Sequence, residues 1–251
     1  MAGRMTVTER RRADVILTER GLFESRSRAQ EAIAAGLVRV NGLVLTRPSE
    51  RIGPDDAITA TPVHDYVSRG GLKLAAALAA FGVDPGGRIC LDAGASTGGF
   101  TEVLLRRGAA RVIAVDSGRD QLHARLRGHP AIDLREATDI RALDLGKGQP
   151  QPDLAVVDVS FISLKLVLPA LACLLAPAAE IVALIKPQFE VGRAAVGKGG
   201  IVRDAAAQAR AVDEVAAAME MLGFTTARAI DSPVLGGDGN HEFLIHGRRP
   251  A

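Results

Sequence analysis

Between residues 89 and 186 the chain repeats one pattern: a short apolar run that stops on a charged residue, then a turn, then apolar residues at helical spacing. Ile89-Cys90-Leu91 stops on Asp92, Val112 to Val115 on Asp116, Leu154 to Val157 on Asp158, and Ile181 to Ile185 on Lys186. Ile132 to Ala137 adds a further strand, followed by Thr138-Asp139. Continuous apolar runs of this length suit strands buried on both faces, the condition of a parallel sheet covered by helices on each side. Such alternation predicts an α/β fold with a mostly parallel, doubly wound, Rossmann-like sheet. Seven strands are expected. The last two, Phe224 to Ile230 and His241 to His246, have no helix between them and should pair antiparallel. Helices are expected from Ser68-Arg69-Gly70-Gly71 to Phe81, over Gln121 to Arg127, Leu164 to Leu175, and Ala205 to Leu222.

In such a sheet ligands bind outside the carboxyl ends of the strands. Asp92, Asp116, Asp139, Asp158 and Lys186 all fall there. One strand-end acid is readily a helix cap, but four with a lysine on one edge exceed what capping needs. After Asp92 comes Ala93-Gly94-Ala95-Ser96-Thr97-Gly98-Gly99-Phe100. Glycines there let the backbone approach a ligand, and the helix that follows aims free N–H groups at it. Neither Gly-Lys-Ser/Thr nor G-x-G-x-x-G is present, so neither a phosphate loop nor the dinucleotide fingerprint is indicated.

Residues 1–60 read as a separate small α+β unit, 61–67 as a linker and 68–251 as the large domain. From Arg4 to Arg47 the chain has nine arginines and five acids, a basic bias that net charge, only +2, conceals. A helix from Arg12 to Glu19 ends at Gly21. A second is expected to start on a capping box of Ser27 and Gln30 and to close at Gly36. Asn41-Gly42 marks a hairpin turn. His64 reads as a solvated linker residue.

The run Ser25 to Gly42 resembles the RNA-binding module named after ribosomal protein S-four. Arg26 and Arg28 at a helix start and Arg39 on the hairpin are sensible contacts for folded RNA. The turn Asp92-x-Gly94-x-x-x-Gly98-Gly99 resembles the S-adenosylmethionine site of Rossmann-like methyltransferases. That likeness implies cofactor contacts from Asp92, Gly94, Ala95, Ser96, Thr97 and Gly98, with Asp116 at the ribose, Asp139 at the adenine amino group and Asp158 facing the sulfonium. Amino-group methyltransferases usually carry Asn/Asp-Pro-Pro-aromatic after the fourth strand, where this chain has Asp158-Val159-Ser160-Phe161. Methylation of a pyrimidine carbon needs a cysteine at the site, and neither Cys90 nor Cys173 ends a strand. A ribose 2′-hydroxyl fits better. Removing its proton needs a base, for which Lys186 is the candidate. Burial and a second cation nearby make a lysine ammonium more acidic, and Lys73 would be that cation.

Lys73, Asp158, Lys186 and Glu242 together resemble the Lys-Asp-Lys-Glu tetrad of FtsJ-like 2′-O-methyltransferases. The Gly-Ala-Ser-Thr-Gly-Gly-Phe turn, Asp158-Val-Ser-Phe-Ile-Ser and Ile185-Lys186-Pro187-Gln188-Phe189-Glu190 extend the resemblance to the TlyA family over nearly the whole chain. It implies 2′-O-methylation of cytidine in ribosomal RNA. The chain stops soon after its last strand, and shorter members imply large-subunit RNA as the target. Arg69 and Lys198 are expected to touch RNA, Lys198 from a glycine-spaced loop, 188–200, read as a lid.

The cysteines have no partners at metal-ligand spacing, so no metal is expected, and both read as buried, reduced thiols. The start of the chain lacks the apolar core of a signal peptide. The longest uncharged run, Leu166 to Ala179, is short of the ~20 residues of a membrane span. A cytoplasmic monomer that binds ribosomal RNA or a ribosomal subunit is expected. A haemolysin-like membrane-active protein and a non-catalytic RNA-binding protein are the alternatives.

Overall fold

A computed structural model describes residues 10–250; part of the charged start, residues 1–9, and Ala251 lie outside this range. Its contacts divide the chain between Asp65 and Tyr66. The first unit runs β1 (Arg11–Arg12), α1 (Ala13–Glu19), α2 (Arg26–Ala34), β2 (Val38–Val40), β3 (Leu43–Val44), β4 (Arg51–Ile52) and β5 (Ile58–Ala60). Ala13, Leu17, Ala29 and Ile33 bring the helices together over Val38, Leu45 and Ile52. Asn41 and Gly42 both take positive φ, 51° and 82°, which a two-residue hairpin loop requires.

Two local readings change in this unit. The cap of α2 is Ser25, whose hydroxyl accepts from Arg28 N at 3.3 Å, and not Ser27. Gln30 cannot complete a capping box because its amide donates to Asp14 Oδ2 at 2.7 Å. Asp14 is fully buried, also receives Arg12 and Arg26 at 3.0 and 2.9 Å, and has its pKa driven well down by them. A buried carboxylate with that many donors outcompetes a surface cap for the glutamine. His64 is buried, not solvated: its ring nitrogens lie 2.6 and 2.9 Å from Arg28 Nη1.

The second unit runs α3 (Gly70–Phe81), β6 (Ile89–Ala93), α4 (Gly99–Arg106), β7 (Arg111–Val115), β8 (Ile132–Arg135), β9 (Leu154–Val157), α5 (Leu164–Leu174), β10 (Ala179–Ile185), α6 (Pro187–Glu190), α7 (Ala205–Met221), β11 (Thr225–Thr226), β12 (Ile230–Asp231) and β13 (Phe243–Arg249). The sheet order is β11-β13-β10-β9-β6-β7-β8, with β12 also on β13. Pairs from β8 to β10 are parallel, and β13 is antiparallel to its neighbours. The expected outer strand over 224–230 is broken into β11 and β12, so the sheet has eight strands.

Side chains alternate across the sheet as strand geometry demands. Leu91, Ile113, Ala155, Val157 and Ile181 face α5 and α7. Cys90, Val112, Leu154, Val156 and Val182 face α3 and α4. The helix expected over 121–127 does not form. Glu136 instead accepts from the N–H groups of Asp120, Gln121 and Leu122 at 2.8–3.2 Å and folds the segment into a turn, with Leu122 and Leu126 docked on Val67. Cys90 is buried, its thiol pushed up to about 12 by that burial, whereas Cys173 lies exposed on α5, contrary to the expectation for both.

Candidate active site

From β6 the chain proceeds outward one way through β7 to β8, and from β9 the other way to β10. The two carboxyl ends that part company here are those of β6 and β9. Asp158 N donates to Ala93 O at 2.9 Å, and Gly94 N and Ala95 N donate to Val115 O at 2.9 and 3.0 Å. Gly94 has φ +88°, and a Cβ on it would be driven into the Asp158 carbonyl. The glycine turn therefore seats against the end of β9 with no room for a side chain.

A cavity of about 1150 Å³ opens on this edge, walled by Gly94, Ser96, Asp116, Asp139, Asp158 and Gln188 among others. Asp116 accepts from Ser96 N at 2.8 Å and Gly118 N at 2.7 Å, which fixes its carboxylate at the lip. Gln121 reaches Ser96 Oγ at 3.0 Å. Asp139 caps a short helical turn through Arg141 N at 2.9 Å, and Arg141 holds its carboxyl down at about 2.

A second, smaller cavity of about 260 Å³ adjoins it at Gly94, Ser96, Asp158 and Ser160 and contains both Lys73 and Lys186. Ala95 and Thr97 line this one rather than the larger, while Gly98 starts α4 at φ 93° and lines neither. Lys186 Nζ lies 2.6 Å from Asp158 Oδ1 and donates to Ser160 Oγ at 2.8 Å. Lys73 Nζ meets Glu242 Oε2 at 2.5 Å, and both are buried. The lysines come from α3 and the end of β10, the carboxylates from the ends of β9 and the last loop. All four expected tetrad residues thus converge as two ion pairs.

Asp92 does not line either cavity. It is wholly buried under the turn on the α4 side, taking the Thr101 hydroxyl at 2.6 Å on Oδ2 while Oδ1 has no hydrogen-bond partner. Burial, with Asp158 and Asp116 nearby, raises its pKa to about 7. A carboxyl raised from 3.8 in the fold keeps a proton that the unfolded chain has released. Its contribution to stability is therefore full at low pH and is lost as pH rises from about 4 to about 7. Asp92→Asn should remove that slope, leaving the variant more stable than the native chain at pH 8 by on the order of 1–4 kcal/mol. Urea unfolding at pH 5 and pH 8 checks this; a native-minus-variant difference that is the same at both would refute it.

Among the described residues two buried side-chain oxygens, Asp92 Oδ1 and Gln188 Oε1, have no hydrogen-bond partner, and Asp158 Oδ1 is met by the Lys186 ammonium alone. Gln188 and Asp158 line the large cavity, whereas Asp92 faces away from it under α4. An acceptor-rich, cation-flanked cavity at the switch point suits a ligand that brings hydroxyl donors and a positive centre.

Residues quoted within motifs but assigned no role by sequence reasoning complete the site. Phe161 is 92% exposed and sits at φ +65°, a strained conformation for a bulky residue. Its ring lies 5.3 Å from that of Phe189, and both line the large cavity. Ser160 sits inside a motif read for Asp158 alone, and the left-handed backbone of Phe161 leaves no trace in the sequence. Of the expected RNA contacts, Arg69 lines the small cavity. Lys198 is exposed in a single-turn helix at 198–200. In the first unit Arg26 pairs with Asp14, Arg28 is committed to His64, and Arg39 donates to Gly42 O at 3.2 Å. Arg26 still leaves 55% of its side chain exposed.

Comparison with known proteins places these features among relatives. The FtsJ-like methyltransferase family matches residues 66–249, and the S4 domain matches residues 11–58. The 16S/23S rRNA (cytidine-2'-O)-methyltransferase TlyA of Mycobacterium tuberculosis is 46% identical, with 95% of this chain and 90% of that protein covered. Hemolysin A of Brachyspira hyodysenteriae is 40% identical over 94% of this chain and 98% of that one. A solved structure described as "Putative hemolysin from Streptococcus thermophilus" superposes with TM-score 0.76 at 41% identity, covering 97% of this chain and 90% of that one.

Proposed function

The chain belongs to the FtsJ-like methyltransferases and, over nearly its full length, to the TlyA family of ribosomal RNA methyltransferases, and on that premise we propose that it methylates the 2′-hydroxyl of a cytidine in ribosomal RNA from S-adenosylmethionine. Of the two RNAs in the mycobacterial relative's name, the large-subunit RNA is the proposed target. The observation that carries the reading is the pair of buried lysines, each on a carboxylate, opening into one cavity at the switch point of the sheet.

The walls fit the cofactor. Asp116 offers acceptors to ribose hydroxyls, Asp139 and the neighbouring Ile140 flank an adenine, and Asp158 supplies negative charge for a sulfonium. When bound, S-adenosylmethionine supplies the methyl group as an electrophile on sulfur. Lys186 takes the proton of the 2′-hydroxyl after releasing its own to solvent, and the ammonium so restored is held by Asp158 and Ser160. Lys73, held by Glu242, adds a fixed positive charge where the alkoxide develops.

Phe161 presents an exposed aromatic face that a nucleotide base lifted from its stack would cover. Phe161→Ala should raise the KM for RNA about tenfold or more while cofactor affinity stays within about twofold, since stacking is worth about 1–3 kcal/mol per base. Steady-state kinetics with calorimetry of cofactor binding checks this, and an unchanged KM would remove Phe161 from the substrate site. The first unit, with its exposed arginines, grips RNA elsewhere by its backbone.

The names of two relatives suggest a second reading, membrane lysis. Among the described residues no helix is long and apolar enough to cross a membrane, and lysis leaves the buried tetrad without a use. Incubation of the purified protein with ribosomal RNA and methyl-labelled S-adenosylmethionine tests the proposal. Label should enter RNA and protect the adjoining phosphodiester from alkali; label that stays with the protein, or leaves alkali cleavage intact, would oppose it.

A further inference from the structure

Between Glu190 and Val202 the chain forms a strap in which residues 191–201 bury no side chain. Its course is two single-turn helices, 193–195 and 198–200, with glycines at 192, 197, 199 and 200. Such a segment has little packing of its own to hold it. It is held at its ends by two buried polar side chains. Glu190 accepts from Ser163 Oγ at 2.6 Å and Leu164 N at 2.8 Å. Asn240, only 1% exposed, accepts from Val202 N at 3.0 Å and donates to Gly200 O at 2.9 Å. Both ends of one buried amide are thus spent on the backbone of the strap.

The strap matters to the site at its near end, where Val191 and Arg193 wall the large cavity. Asn240 matters through its neighbours. Its carbonyl closes a turn by accepting from Gly236 N at 2.9 Å, and two residues on lies Glu242, which holds Lys73. That turn is tight: a Cβ on Gly236 would come 2.5 Å from Glu242 Oε1. The loop that carries one member of the tetrad and the strap that walls the cavity are therefore joined through a single side chain.

We propose that Asn240 is a positioning residue, which fixes the far end of the strap to the Glu242 loop and so keeps the cavity wall shaped for the RNA substrate. This rests on the reading of the site as an RNA methyltransferase. Removing the amide leaves a buried N–H and a carbonyl unpaired and takes away one of the two side-chain ties at that end, the other being Gln208 Nε2, which donates to Val202 O at 2.7 Å.

The strap contains two trypsin sites, Arg193 and Lys198. In Asn240→Ala, limited trypsin digestion should cut there about tenfold faster than in the native chain, because cleavage follows local opening. The KM for ribosomal RNA should rise about tenfold, with kcat and the KM for S-adenosylmethionine within about threefold. Asn240→Asp, which keeps the acceptor for Val202 N and loses the donor to Gly200 O, should shift both readouts the same way and serves if the alanine variant does not fold. Native cleavage rates in both variants, or a fall in kcat with an unchanged KM for RNA, would overturn the assignment. Absence of methyl transfer by the native protein would instead count against the function, with the digestion still deciding whether Asn240 anchors the strap.

Discussion

Lys186→Ala should lower methyl transfer to ribosomal RNA about a thousandfold, while cofactor affinity and thermal stability stay close to native. The expectation rests on two contacts of one ammonium, 2.6 Å to Asp158 Oδ1 and 2.8 Å to Ser160 Oγ, at the end of a strand buried at every position but Glu180. A general base is worth about 10²–10⁴ in rate, and a ribose hydroxyl is a poor nucleophile without one. Lys186→Arg separates two roles. Arginine restores positive charge but does not give up its proton, so a base cannot be replaced by it whereas a fixed cation can. Substantial activity in the arginine variant, above about a tenth of native, would assign Lys186 to charge stabilisation and leave the proton to another group.

Gly94→Ala should abolish cofactor binding at concentrations that saturate the native chain, an affinity loss of about a hundredfold or more. The alanine must adopt φ near +88° and point its methyl into the Asp158 carbonyl. The left-handed backbone alone costs roughly 1–2 kcal/mol. Relieving the clash means moving the end of β6 away from the end of β9, breaking the Asp158 N to Ala93 O bond at 2.9 Å that sets the crevice. Calorimetric titration with S-adenosylmethionine checks this, alongside a thermal melt to show that the sheet survives. Near-native affinity would mean that the close seating of turn on strand is dispensable.

Strand-end chemistry was readable in the chain because parallel strands buried on both faces must be continuous apolar runs. Asp116, Asp158 and Lys186 could be placed on one edge by counting from such runs, and Lys73 and Glu242 by their motifs. Asp92 shows the limit of counting. It lies within β6 rather than beyond it, so the side-chain alternation of the strand sends it under α4 to Thr101 rather than into the cavity. Features set by competition between distant groups were not legible. Asp14 draws Gln30 away from the cap of α2, and Glu136 gathers three N–H groups that a helix over 121–127 would have used. The strained Phe161 and the two hydrogen bonds between Asn240 and the strap depend on loops meeting in space, which no local pattern encodes.

The central claim, transfer to a ribose oxygen of ribosomal RNA, is tested most directly by mapping 2′-O-methyl groups on both ribosomal RNAs from cells with and without this chain. A cytidine 2′-O-methyl in the large-subunit RNA should vanish when the chain is absent and return with the native gene but not with Lys186→Ala. Identical 2′-O-methyl maps in the two cells, or a lost methyl on a base rather than a ribose, would contradict the account.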